Sequence, residues 1–92
     1  MSLHRRNAKR DRNERLLVEY LQKSGAVVHR ISGPGLPDLL VGYRKRWLLL
    51  EVKAPKGKLE PAQVLFHGAA QALGLPCHVV YTVEDCRQAL HG

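Results

Sequence analysis

The sequence predicts one small α/β domain with elements in the order α, β, β, β, α, β, α and a mixed central sheet flanked by helices. Three observations predict it. Leu17, Val18 and Leu21 recur at helical spacing ahead of a β-branched run. Leu39-Leu40-Val41 and Trp47-Leu48-Leu49-Leu50 are apolar runs joined by a link too short for anything but antiparallel neighbours. A Pro-initiated, Gly-terminated helical segment then precedes a last apolar strand. The 92 residues suffice for a single modest core and leave no room for a second domain.

Helix one is expected from about Asn7 or Asp11 to Ser24, with Gly25 as its stop. Ala26 to Ile31 reads as a strand, broken by Ser32-Gly33-Pro34-Gly35. The two apolar runs follow, linked through Gly42-Tyr43-Arg44-Lys45-Arg46. Ala54-Pro55-Lys56-Gly57-Lys58 reads as a loop. Pro61 suits the first position of helix two, with Leu59 placed to staple onto Val64. Leu65, Phe66, Ala69, Ala70 and Leu73 are expected to face inward, and Gly74 and Pro76 to end the helix. Cys77 to Tyr81 is the last strand, and Thr82 with Asp85 can cap a final helix containing Cys86 and Leu90.

Lys and Arg total 15 against 8 Asp and Glu, a formal charge of +7, so a polyanion is the expected partner. No apolar run approaches the roughly 20 residues of a membrane span, and the N-terminus is too polar for a signal peptide. The expectation is therefore a cytoplasmic protein with no membrane association and no small-molecule cofactor. Cys77 and Cys86 read as reduced thiols. With His78 and His91 they match no common zinc spacing.

The sharpest feature is Pro37-Asp38, followed across a hydrophobic strand by Glu51-Val52-Lys53. If Arg44 and Lys45 form a two-residue turn, Asp38 faces Glu51 across the hairpin, although the turn lacks the Asn-Gly signal such loops favour. Glu51 and Lys53, two apart, project to one face, and the Val52 carbonyl lies near the same edge. Two carboxylates and a carbonyl suit a hard cation such as Mg²⁺ or Mn²⁺. Such an ion polarises a phosphodiester and acidifies a bound water, while Lys53 stabilises developing charge. Taken singly, each residue reads as an ordinary turn or strand-edge side chain. Their joint position beside two Gly-Pro loops favours a site.

These residues resemble the PD-(D/E)XK nuclease superfamily. Within it, Gly35-Leu36-Pro37-Asp38-Leu39, Glu51-Val52-Lys53 and Gly57-Lys58-Leu59 followed by Gln63 resemble the VRR-NUC family over roughly Glu14 to Gln63. The resemblance implies a restriction endonuclease-like fold and metal-dependent hydrolysis of nucleic-acid phosphodiesters. It implies Asp38, Glu51 and the Val52 carbonyl as metal ligands and Lys53 as the catalytic lysine. Compact members are similar to Holliday junction resolvases, which implies a homodimer acting on branched DNA.

The superfamily often draws a glutamate from helix one. Glu14 lies within the inward stripe of Leu17, Val18 and Leu21, whereas Glu19 shares the side of Arg15 and Lys23, so Glu14 is the candidate and a possible further metal ligand. On its residues alone Gln63 reads as a helix-capping side chain; the resemblance implies a site role. Lys56 and Lys58 follow the EVK segment, and Arg5, Arg6, Arg10 and Arg12 form a basic arm over residues 1–10 and just beyond. All six are candidate DNA contacts, with a solvated surface as the alternative. His29, His67 and His78 have no partners at motif spacing. Few aromatic residues argue against a base-stacking platform. The competing readings are a non-catalytic basic nucleic-acid-binding module, and a toxin-like or restriction-type nuclease cutting flaps, duplex or RNA.

Overall fold

Helix α1 (Asn13–Lys23) leads into β1 (Val27–Arg30), β2 (Leu39–Tyr43) and β3 (Arg46–Val52); α2 (Pro61–Ala72), β4 (Cys77–Val80) and α3 (Val83–His91) complete the chain. The computed structural model describes residues 12–92. The basic arm with Arg5, Arg6 and Arg10 lies outside the described residues.

The four strands are ordered β1-β2-β3-β4. The first three are antiparallel, and β4 joins β3 in parallel through α2. Helices α1 and α3 pack together on one face. There Leu17, Val18 and Leu21 of α1 meet Leu39, Val41, Leu48, Leu50, Val52 and Val80 of the sheet and Cys86, Ala89 and Leu90 of α3. Side chains alternate along a strand, so Leu40, Leu49 and Glu51 project to the opposite face, crossed by α2. Both cysteines are free thiols, as their spacing predicts.

Local chemistry sets the boundaries. Gly25 ends α1 at φ 97°, with Ala26 N–H donating to the Leu21 carbonyl and Gly25 N–H to that of Gln22, the paired bonds of a Schellman stop. Arg44 and Lys45 both take positive φ, 51° and 69°, so the hairpin closes on two residues without glycine. Arg46 donates to the Ala89 and Leu90 carbonyls at 3.0 and 2.8 Å. It satisfies the open end of α3, where a cation is favoured. Thr82 and Asp85 cap the start of α3 reciprocally.

Helix α2 departs from the expected facing. Leu65 is 76% exposed and Leu73 75% exposed, and Ala69 is exposed. Phe66 and Ala70 face inward as expected, joined by Gln63 and His67. From Pro61 to Val83 the sequence has no Asp, Glu, Lys or Arg, so no charge marks the solvent side, and the face that turns inward is the one whose Gln63 and His67 meet Glu51.

Gly35 allows the loop before β2 to meet α2. It sits at φ +76°, and a Cβ there would lie 2.9 Å from the Ala62 carbonyl oxygen. Gly35→Ala is expected to lose about 1–2 kcal/mol from the left-handed backbone alone. Thermal unfolding should show a Tm lower by about 5 °C or more.

Candidate active site

The hairpin register sums to 89, from Tyr43 opposite Arg46 to Leu39 opposite Leu50. One step beyond Leu39, that register sets Asp38 opposite Glu51. Asp38 closes the strand pair through its own atoms: its N–H donates to the Leu50 carbonyl at 3.1 Å and its Oδ2 accepts the Val52 N–H at 2.8 Å. In an extended strand a residue's N–H and C=O face the same neighbour. The Val52 carbonyl therefore projects toward the Asp38 side.

Glu51 is 1% exposed and Glu14 4% exposed; they are the two buried charged side chains among the described residues. A buried carboxylate is stable only when partnered. Gln63 Nε2 donates to Glu51 Oε2 at 3.0 Å, and His67 Nε2 stands 3.7 Å from Glu51 Oε1. The same Gln63 amide uses its oxygen to accept the Glu60 N–H at 2.8 Å. Gln63 thus caps α2 and touches the buried acid with opposite ends of one amide.

Lys53 leaves β3 with its N–H bound to the Val80 carbonyl at 3.0 Å. Its ammonium is close enough to His67 to contribute, after burial and His78, to holding that imidazole below its usual range. Lys53 and Glu51 therefore share the α2 face. The loop beyond turns tightly: Gly57 N–H donates to the Ala54 carbonyl at 2.8 Å, with Pro55 next and Lys56 at φ 72°. A non-glycine residue rarely accepts that position in a type II turn. Tyr81 O–H donates to the Gly57 carbonyl at 3.3 Å, fixing the loop, and Lys56 and Lys58 lie exposed on it.

Glu14 comes from the other layer. It accepts from Arg30 Nε at 2.8 Å, and Arg30 pairs with Leu39, so Glu14 sits at the Asp38 end of the sheet. Asn13, one residue earlier, donates to the Lys53 and Tyr81 carbonyls at 3.2 and 3.0 Å. The first turn of α1 is thereby tied to the exit of β3. Glu19 is an exposed partner of Arg15 at 3.4 Å, as its helix side predicts. Arg12 is exposed at the start of α1. Arg46, by contrast, is spent on α3, and Arg44 lies over the Tyr43 ring at 5.1 Å.

Sequence reasoning misses three of these neighbours. Asn13 and Arg30 act over long separations in the chain and carry no motif. His67 had a local signal: it lies four residues after Gln63 and so shares its helix face.

No family model and no curated protein matches the sequence. Among solved structures, a chain titled "VRR_NUC domain" superposes with a TM-score of 0.71 at 25% identity, covering 86% of this chain and 95% of that one. The chain is similar in fold to this VRR-NUC domain. The same fold accounts for the αβββαβα order and the mixed sheet. Among the described residues no helix is long and apolar enough to cross a membrane.

Proposed function

We propose that this VRR-NUC-like domain is a Mg²⁺- or Mn²⁺-dependent DNA endonuclease that cuts four-way junctions as a homodimer. The observation that carries the reading is Glu51: a carboxylate 1% exposed at the end of a central strand, in register with Asp38 and followed by Lys53.

The donor set fits a hard cation. Asp38, Glu51 and the Val52 carbonyl would hold it, with Glu14 within the same end of the sheet. Among the described residues no three His, Cys, Asp or Glu side chains gather into a metal-holding group. Mg²⁺ usually keeps several waters and is held by one or two carboxylates together with substrate phosphates. When bound, such an ion supplies Lewis acidity to a phosphodiester oxygen and lowers the pKa of a water. The chain's own groups do the rest. Lys53 places a cation where negative charge grows on the phosphate as water attacks phosphorus and the ester oxygen leaves. Gln63 holds the Glu51 carboxylate, and Lys56 and Lys58 meet flanking phosphates.

Junction specificity rests on a chain too small to embrace branched DNA and on the two symmetric cuts that a junction requires, which a two-fold dimer provides. Cys86, Ala89 and Leu90 of α3 are buried, whereas exposed apolar side chains available to a second copy include Val64 and Leu65 of α2, Leu73 and Leu75 just beyond it, and Trp47 of β3. Cleavage of labelled junction, duplex, flap and RNA in Mg²⁺, Mn²⁺ and Ca²⁺, with mass by light scattering, tests the reading. Preferential, Mg²⁺- or Mn²⁺-dependent cutting of the junction by a dimer is expected. Equal cutting of duplex removes the junction refinement, and binding without cutting under every metal leaves the basic binding module.

The phosphate contacts have their own test. Replacing Lys56 or Lys58 by Ala should weaken junction binding uniformly across sequences. It should also flatten the slope of log K against log salt by about 1 per lost contact. An unchanged slope would place both lysines away from the DNA.

A further inference from the structure

Behind Glu51 the α2 face continues into a second layer that the nuclease motif does not include. His67 Nε2 is 3.7 Å from Glu51 Oε1. Against the same ring, Cys77 Sγ lies 3.5 Å from Nδ1 and 3.9 Å from Nε2. Cys77 begins β4, pairs with Leu49 and so is fixed by the ladder beside the strand that carries Glu51. We propose that His67 is a positioning residue for the Glu51 carboxylate, with Cys77 packed against its ring. The proposal rests on the nuclease reading above and extends it to residues outside the PD and EVK motifs.

The chemistry follows from donors and acceptors. The Cys77 sulfur stands at nearly the same distance from both ring nitrogens, so it packs against the imidazole and helps hold it in place. Nε2 faces Glu51 Oε1, while Gln63 supplies its amide N–H to Oε2. At 3.7 Å the imidazole attracts the carboxylate without a full hydrogen bond. It also walls off one side of Oε1. The two oxygens of one acid are thus addressed by two side chains four residues apart on one helix. Outer groups of this kind orient a ligand carboxylate, and their loss commonly costs about 10–100-fold in metal affinity or activity.

The test uses the full chain with Mn²⁺ as the probe. Binding read by electron paramagnetic resonance should weaken about 10-fold in His67→Ala, and kcat on the junction should fall about 10–100-fold with KM changed less than about twofold. His67→Gln, whose amide N–H reaches the same side, should restore most of the Mn²⁺ affinity. A folded His67→Ala protein that binds Mn²⁺ and cuts within twofold of wild type would overturn the inference and leave the nuclease reading standing. A His67→Gln protein that stays as weak in Mn²⁺ as His67→Ala would equally overturn it. If the wild type neither binds Mn²⁺ nor cuts, the nuclease reading falls and the inference falls with it.

Discussion

Asp38→Asn and Lys53→Ala should each lower cleavage by on the order of 10²–10³-fold or more while leaving junction binding in Ca²⁺ nearly unchanged. Asparagine is the informative replacement at Asp38. The aspartate has two duties: it offers charge to a cation, and its Oδ2 accepts the Val52 N–H at 2.8 Å. Asparagine removes the charge and keeps an oxygen acceptor, so the strand end stays closed. Alanine removes both and leaves a backbone donor to find another partner, at a cost of about 1–3 kcal/mol. Asp38→Asn is therefore expected to melt near the wild-type temperature with its cutting gone, and Asp38→Ala to melt several degrees lower as well. Single-turnover cleavage beside a thermal melt separates the duties. Wild-type cutting by Asp38→Asn in Mg²⁺ would remove Asp38 from the chemistry.

The hairpin register is legible in the sequence because its ends are marked. Two apolar runs begin after Asp38 and stop before Glu51, and only a turn at Arg44 and Lys45 brings equal lengths together. The turn itself is not signalled, since both residues take positive φ without being glycine or asparagine; the apolar pairing overrides turn propensity. Glu14 is legible as an inward acid from helical spacing alone. Its partner Arg30, 16 residues away, is not, because a long-range ion pair leaves no local pattern. The facing of α2 is illegible for a different reason. Its sequence offers an apolar stripe on more than one side and no charge to break the tie, so packing against Glu51 decides. Gln63 looks like a cap or a site residue when read alone, and the two readings are not exclusive, because an amide has an acceptor and a donor to give to different partners.

The largest loss of stability is expected away from the motif residues, in Leu50→Ala. Leu50 is 0% exposed on β3, which is paired on both sides by β2 and β4, and its side chain lies in the core under α1 and α3. Truncating a buried leucine removes its transfer energy and leaves a cavity, together about 2–5 kcal/mol. A chain of this length has roughly 5–14 kcal/mol in all, so the loss takes from about a seventh of the total to nearly all of it. The Tm should drop by at least about 8 °C. Yet the Leu50 carbonyl, not its side chain, receives the Asp38 N–H, and Glu51 projects to the opposite face. Assayed well below its melting temperature, Leu50→Ala should keep kcat within about tenfold of wild type, whereas Asp38→Asn should keep its Tm and lose its activity. Strand alternation is what makes the two losses separable: one face of β3 holds the fold together and the other presents the acid. Equal collapse of activity in Leu50→Ala at a temperature where it is folded would mean that the core face and the acid face are not independent.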